Sequence, residues 1–170
     1  AFLLPCSSPA LRYLSLIKPM TKKEKNIRIA LGSDHAGFTY KEEIKKFLQV
    51  EGYETKDFGT FSRESVDYPS FIRPAAEAVA EGLCDYGIVL GGSGNGEAIA
   101  ANKVKGVRCA LCWSEDTARL AKEHNNANVI SIGERQISKD LALRVVAIWL
   151  KANFEGGRHL RRVEMLDSKE

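Results

Sequence analysis

The segment from Tyr86 to Lys103 contains a short apolar run, a glycine-rich turn and a helix-forming run in direct succession. The apolar residues at 88–90 are typical of a buried strand in a parallel sheet. The glycines between Gly91 and Gly96 allow a sharp turn that leaves backbone amides exposed. Because a strand, a glycine turn and a helix N-terminus together can accept an anion, we expect chemistry or binding at this turn.

Glu97 is the unusual residue of this segment. A carboxylate in the first turn is favourable for the helix dipole, but it would repel a permanently bound phosphate. The pattern therefore favours a turn where negative charge develops during a reaction, with Glu97 as a proton-transfer base. The spacing excludes a dinucleotide fingerprint, since Glu97 stands where the third glycine belongs, and no G-K-[ST] sequence supports a P-loop. A tight turn with no chemistry remains the alternative.

Composition indicates one globular domain in this chain of 170 residues, with 44% hydrophobic and 28% charged side chains. The net charge of +3 comes from the N-terminal arm, where five basic side chains precede residue 26 against the single acid Glu24. The rest of the chain holds 20 basic and 21 acidic side chains. A near-neutral domain gives no argument for a nucleic-acid partner.

The arm at residues 1–26 is excluded from the predicted domain at 27–170. It has serine, leucine and basic residues and no acid before Glu24, as in organelle transit peptides. The alternative is that Met20 is the true start and the preceding residues are a leader. No apolar run approaches the roughly 20 residues that span a bilayer. We therefore expect a cytoplasmic protein without a membrane partner, or an organellar one if the arm is a transit segment.

The four cysteines, at positions 6, 84, 109 and 112, do not indicate a disulfide framework. Cys109 and Cys112 match C-x-x-C, but they lie in an apolar run predicted to be a strand. A spacing of three residues sends their side chains to opposite faces of a strand. No further cysteine or histidine pair completes a zinc site, so buried core thiols are expected.

The remaining sequence alternates between strand-like and helix-like patterns. The first helix places lysines and glutamates opposite its apolar face, and Ser114 and Ser138 are predicted to cap later helices. Strands are predicted at 27–31, 53–58, 88–90, 107–113 and 129–132, and helices at 40–50, 69–81, from 95, from 114 to 124–126, from 138 and after 157. This order predicts an α/β fold with a doubly wound parallel sheet.

Polar residues follow several of these strands. Ligands bind beyond the carboxyl ends of the strands in such sheets, so we expect these side chains to meet there. They are Asp34, His35, Ser93, Glu97 and Arg135, with Trp113 and Ser114 after the fourth strand.

Six motifs, spread in order over about residues 27–166, resemble the ribose-5-phosphate isomerase B family. They are Gly32-Ser-Asp-His-Ala-Gly37, Asp67-Tyr-Pro69, Gly91-Gly-Ser-Gly-Asn-Gly-Glu97, Ala-Ala-Asn-Lys103, Glu123-His-Asn-Asn126 and Gly157-Arg-His159 with Arg162. The resemblance implies a Rossmann-like three-layer α/β/α sandwich with a five-stranded parallel sheet. It also implies a homodimer or tetramer with the site between subunits, a sugar phosphate substrate, and no metal or other cofactor.

The resemblance also implies roles for individual residues. Some family members carry a catalytic cysteine where Gly91 stands, whereas the other branch uses a glutamate where Glu97 stands. Glu97 is thus the expected base in converting ribose 5-phosphate to ribulose 5-phosphate through a cis-enediolate. The other implied residues are Asp34 and His124 for ring opening, Ser93, Gly92, Gly94, Asn95 and Gly96 for the anion hole, Asn125 for holding the substrate, and His35, Arg135, Arg158 and Arg162 for phosphate. His124 and Asn125 are expected to come from the partner subunit.

The implied chemistry suits these residue types. A carboxylate can carry a proton between C2 and C1 in both directions, and turn amides can stabilise the oxyanion. Each residue also has a structural alternative: His124 can cap a helix end, Asp34 and His35 can cap the first helix, and the arginines can be solvated. A hexose-6-phosphate isomerase and a non-catalytic sugar-phosphate-binding protein remain alternative functions.

Overall fold

The computed structural model describes residues 27–167, so the predicted arm at 1–26 lies outside the described residues. Strands and helices alternate along the chain, followed by a C-terminal helix. The strands are β1 (Arg28–Ser33), β2 (Glu54–Asp57), β3 (Tyr86–Gly91), β4 (Cys109–Leu111) and β5 (Val129–Gly133). The helices are α1 (Phe38–Val50), α2 (Pro69–Ala80), α3 (Asn95–Asn102), α4 (Glu115–Glu123), α5 (Lys139–Lys151) and α6 (Arg158–Asp167).

The five strands form one parallel sheet in the order β2-β1-β3-β5-β4. The chain goes from β1 to β2 on one side and later to β3 on the other, so the order reverses between β1 and β3. At the carboxyl end of this pair, Ser33 lies opposite Leu90. This reversal point is where sheets of this type place ligands. The predicted fold class is confirmed, although β4 is shorter than the predicted 107–113.

Helices cover both faces of the sheet. One core layer joins strand residues such as Ile88 and Ile130 to α1, α4 and α5, and the other joins Val89 and Val129 to α2 and α3. Successive strand residues therefore face opposite layers, as the period of a strand requires. Cys112 packs in the first layer and Cys109 in the second. This confirms the prediction that their side chains point to opposite faces.

Local signals position several helices as predicted. The Ser114 side chain caps α4 and forms a capping box with Thr117, and the Ser138 side chain accepts from the Leu141 amide. Lys41 on α1 departs from the prediction of an exposed charged face, because its side chain is fully buried. Its Nζ lies 2.7 Å from both carboxylate oxygens of Asp57. The ion pair compensates the cost of burying the ammonium group.

No helix in the described part of the chain is long and apolar enough to cross a bilayer.

The direction of α4 separates the predicted site residues into two groups. This helix starts beyond β4 and ends just before β5, so its last residues lie at the amino-terminal edge of the sheet. There the Arg108 amide donates to Asn128 Oδ1, and the Arg108 side chain reaches the carbonyl of Asn125. His124 and Asn125 are therefore at the edge opposite to Glu97.

Candidate active site

Glu97 is buried at the carboxyl edge of the sheet, with 4% of its surface exposed. Its carboxyl group lies directly over the Cα of Gly91, where a Cβ at position 91 would overlap it. Burial raises the pKa of Glu97, and the charge of Asp34 adds to this effect. The backbone amides of Glu97 and Gly94 oppose it by hydrogen bonding to the carboxylate. A buried carboxylate with a raised pKa is suited to accept a proton near neutral pH.

Asp34 also lies at this edge, at the end of β1. Its Oδ1 accepts hydrogen bonds from the amides of Ala36 and Gly37, at 2.8 and 2.9 Å. Its own amide donates to the carbonyl of Leu90 on β3 at 3.2 Å. A Cβ on Gly37 would stand 2.5 Å from the Leu90 carbonyl carbon. The turn before α1 can therefore approach β3 this closely only with glycine at position 37. Asp34 thus stabilises the turn before α1 and also acts electrostatically on Glu97.

The glycine turn that follows β3 is packed between neighbouring elements. Gly94 has φ +81°, and a Cβ there would lie 2.6 Å from Leu111 Cδ1. Ser93 Oγ accepts a hydrogen bond from the Asn95 amide at 3.3 Å. The Asn95 amide therefore points to Ser93 within the turn, and the Gly94 amide bonds to the Glu97 carboxylate.

Two predicted phosphate ligands flank this turn. The Val66 amide donates to Nδ1 of His35 at 3.2 Å, which leaves Nε2 as the nitrogen that can donate to an anion. The guanidinium group of Arg135 lies against Gly92, where a Cβ would be 3.2 Å from Nη1. Its backbone amide donates to the Gly92 carbonyl at 3.1 Å. The carboxyl edge thus brings the predicted base, one predicted ring-opening residue and two predicted phosphate ligands together.

The remaining predicted residues form a second group at the amino-terminal edge. His124 is the C-cap residue of α4, and its ring stacks on that of His159 with centroids 4.2 Å apart and an interplanar angle of 8°. A cavity of about 310 Å³ beside this pair is lined by His124, Asn125, His159, Arg162, Val163 and Leu166. Arg158 joins this group, since its Nε donates to His159 Nε2 at 3.4 Å. The predicted site residues therefore lie in two separate groups at opposite edges of the chain.

Three neighbours of these groups were not assigned from the sequence. The ring of Tyr68 covers Gly96, where a Cβ would lie 2.8 Å from Cζ. Glu155 and His159 lie beside His124. Tyr68 and His159 belong to two of the motifs that resemble the family, and this membership could have marked them as site residues. No sequence signal pointed to Glu155, because its proximity to His124 depends on the fold.

His124, Glu155 and His159 form a group of potential metal ligands. Ligand atoms of His124, Glu155 and His159 lie within 4.8 Å of one another. Two imidazoles and a carboxylate suit zinc chemically. However, the Nε–H of Arg158 faces the Nε2 of His159, and Arg162 lines the same cavity. These cationic neighbours make the group better suited to an anion than to a metal cation.

Comparisons with known proteins identify the family of the chain. Residues 29–166 match the family described as Ribose/Galactose Isomerase. Ribose-5-phosphate isomerase B of Escherichia coli is 44% identical over 143 residues, covering 84% of this chain and 96% of that protein. The structure of the Clostridium thermocellum ribose-5-phosphate isomerase B has a TM-score of 0.82 and 52% identity, covering 83% of this chain and 95% of that one.

A second solved structure carries a ligand. The ribose-5-phosphate isomerase B of Mycoplasma genitalium, determined with bound ribulose 5-phosphate, has a TM-score of 0.80 and 40% identity. The match covers 83% of this chain and 94% of that one. The fold, the motifs and these comparisons together show that the chain belongs to the ribose/galactose isomerase family.

Proposed function

We propose that this protein is an aldose–ketose isomerase that interconverts ribose 5-phosphate and ribulose 5-phosphate. The observation that carries the proposal is the buried carboxyl group of Glu97, which lies over Gly91 beside Asp34. The relatives named for this activity span most of the chain, and one of them holds ribulose 5-phosphate.

The first step is opening of the furanose ring. One group must take the proton of the anomeric hydroxyl, and a second must deliver a proton to the ring oxygen as the C1–O4 bond breaks. Asp34 and His124 are the residues proposed for these transfers, which yield the free aldehyde. A carboxylate and an imidazole suit them, because both residue types serve as general acids and bases in enzymes.

The second step moves a proton along the open chain. The Glu97 carboxylate takes the proton from C2, and the electrons of that C–H bond form the C1–C2 double bond as the carbonyl oxygen becomes an oxyanion. Glu97 then returns the proton to C1, while the O2 hydroxyl loses its proton to become the ketone and O1 gains one. Donors in the turn after β3, including the Ser93 hydroxyl, stabilise the enediolate. The oxidation at C2 balances the reduction at C1.

The phosphate is bound by His35 and Arg135 at the carboxyl edge and by Arg158 and Arg162 at the amino-terminal edge. Guanidinium groups form paired hydrogen bonds to phosphate oxygens, which fixes the far end of the substrate. Asn125 adds an amide donor for the sugar hydroxyls. Binding at this end holds C1 and C2 against Glu97.

A homodimer with shared sites is part of the proposal. Glu97 and His124 lie at opposite edges of one chain, so one subunit cannot bring both to one sugar. In a two-fold symmetric dimer, the carboxyl edge of one subunit can meet the amino-terminal edge of its partner. His124, Asn125, Arg158 and Arg162 would then complete the partner's site.

A cytoplasmic location belongs to the same proposal and is tested by cell fractionation.

The direct test is ketopentose formation from ribose 5-phosphate in the presence of EDTA. Allose 6-phosphate and galactose 6-phosphate are measured in parallel. We expect rapid turnover of the pentose, loss of turnover in Glu97→Gln, and normal turnover in the control Glu77→Gln, whose side chain is exposed on α2. Preference for a hexose phosphate would keep the mechanism and change the substrate, and no turnover of any sugar would indicate a binding protein.

Mixing two inactive variants tests the shared site. In a heterodimer of Glu97→Gln and His124→Asn, one site carries both substitutions and the other carries neither. After random exchange of subunits, about one quarter of wild-type activity should return. Failure of activity to return, with heterodimers shown to form by mass spectrometry, would place both residues in the same subunit's site.

A further inference from the structure

The imidazole of His124 lies flat against the imidazole of His159, which is 7% exposed. The carboxylate of Glu155 lies beside both rings, with Oε2 at 3.8 Å from Nε2 of His124 and 3.6 Å from Nε2 of His159. The mechanism above uses His124 alone. The other two side chains need a separate explanation.

The backbone holds these three residues together. The amide of Glu155 donates to the carbonyl of Glu123, the last residue of α4, at 3.0 Å. Gly156 and Gly157 then adopt left-handed conformations, with φ of +66° and +53°. The chain consequently turns into α6 with His159 underneath His124.

The charges around the pair differ between the two histidines. Burial lowers the pKa of His159, and the charges of His124 and Arg158 lower it further, while Glu155 opposes them. The Nε–H of Arg158 also faces His159 Nε2, as expected for a neutral ring that accepts a hydrogen bond there. His159 thus provides a flat, neutral surface. Glu155 provides a negative charge beside His124, with Arg158 and Arg162 as the cationic groups nearby.

We infer that His159 and Glu155 are positioning residues for the ring-opening step: His159 fixes the plane of the His124 ring, and Glu155 orients its Nε2–H and stabilises the imidazolium that forms when His124 takes a proton. This inference rests on the proposed function. The distance of 3.8 Å is longer than a hydrogen bond, and catalytic hydrogen bonds commonly shorten when substrate binds. A base oriented by a third group is a recurring arrangement in enzymes.

The inference makes a distinction between the two directions of the reaction. Ribose 5-phosphate is mainly a furanose and must be opened, whereas ribulose 5-phosphate is acyclic because its O5 is esterified. A residue that serves only ring opening matters for the aldose and not for removal of a proton from C1 of the ketose. A phosphate-binding or structural residue affects both substrates.

The experiment compares two initial rates for each variant at low substrate. One is ketose formation from ribose 5-phosphate, and the other is deuterium exchange at C1 of ribulose 5-phosphate in D₂O, followed by NMR. His159→Ala and Glu155→Gln should lower kcat/KM for the aldose about tenfold and change the rate of C1 exchange in the ketose less than about twofold. His159→Phe should recover most of the loss, because it keeps a flat ring under His124. Glu164→Gln, an exposed change on α6, is the matched control.

His124→Asn separates failure of the inference from failure of the proposed function. If His124→Asn lowers only the aldose rate, His124 opens the ring. In that case, equal effects of the Glu155 and His159 variants on both substrates would overturn the inference. No effect of those variants on either substrate would overturn it as well. If His124→Asn itself lowers both rates equally, the proposed role of His124 is wrong. Thermal melting verifies that each variant is folded.

Discussion

The carboxyl group of Glu97 occupies the space that a side chain at position 91 would fill. Position 91 ends β3, and Glu97 lies in the first turn of α3, so the helix brings the acid back over the end of the preceding strand. An acidic group at 97 and a side chain at 91 are therefore mutually exclusive in this geometry. This provides a physical reason why a family branch with a cysteine at position 91 would not also use a glutamate at position 97.

The first prediction is that Gly91→Ala inactivates the enzyme although the substitution adds only a methyl group. The methyl group must displace the Glu97 carboxyl, and a base moved by about 1 Å can lose about a hundredfold in rate. Measurement of kcat/KM for ribose 5-phosphate checks it. Gly87→Ala on the same strand is the control, since a Cβ there would be tightly packed against Val79 and Val129 but remote from Glu97. Normal kinetics in Gly91→Ala would show that the carboxyl group is not held at this place.

The second prediction concerns stability and follows from the raised pKa of Glu97. Burial favours the protonated form in the folded state, so the folded protein keeps a proton that the unfolded chain releases at lower pH. Stability from this group is thus present below the unfolded pKa of about 4.5 and is lost as pH rises through the folded value. Glu97→Gln should melt at a higher temperature than wild type at pH 7, with the difference shrinking toward pH 4. A variant that is less stable at pH 7 would contradict the burial argument.

Local sequence patterns were sufficient for the central strand, turn and helix. The apolar run, the glycines and the alanine-rich segment each specify a local conformation, and β3 and α3 follow them in the structure. Parallel topology then places the ends of β1, β3 and β5 side by side. The meeting of Asp34, Glu97 and Arg135 at one edge was accordingly predictable without coordinates.

Other features depend on contacts between distant segments. Lys41 was expected on the solvated face of α1, but the fold places Asp57 of β2 opposite it. The stacking of His159 on His124 likewise joins α6 to the end of α4. No periodicity within one segment encodes such pairs, because each partner is specified by a different part of the chain.

The third prediction is that iodoacetamide inactivates the enzyme only slowly. Cys84 and Cys112 are 2% and 1% exposed, and burial raises the pKa of the Cys112 thiol to about 12. Burial also raises the pKa of Cys109. Since the thiolate is the reactive form, these thiols should react little near neutral pH. The measurement is residual activity over time in a Cys6→Ser variant, because Cys6 lies outside the described residues. Rapid loss that ribose 5-phosphate prevents would indicate a cysteine in the site.

The fourth prediction concerns Lys122, which is 6% exposed at the end of α4. Its Nζ lies 3.9 Å from the centroid of the Tyr86 ring and 5.6 Å from that of Trp149. Burial lowers the pKa of Lys122 to about 8, and the charge of Arg108 contributes to the shift. The folded protein thus disfavours the ammonium form, even though an aromatic face attracts a cation.

The pH dependence follows from this shift. Between pH 8 and 10.5 the unfolded chain binds the Lys122 proton and the folded chain does not, so wild-type stability contributed by this group rises with pH across that window. Lys122→Met should therefore raise the melting temperature at pH 7, and its advantage should diminish as pH approaches 10. Lys105→Met, at an exposed position, should show no such trend. A Lys122→Met effect that is constant with pH would mean that the aromatic rings compensate the buried charge, and that the lysine remains protonated across this range.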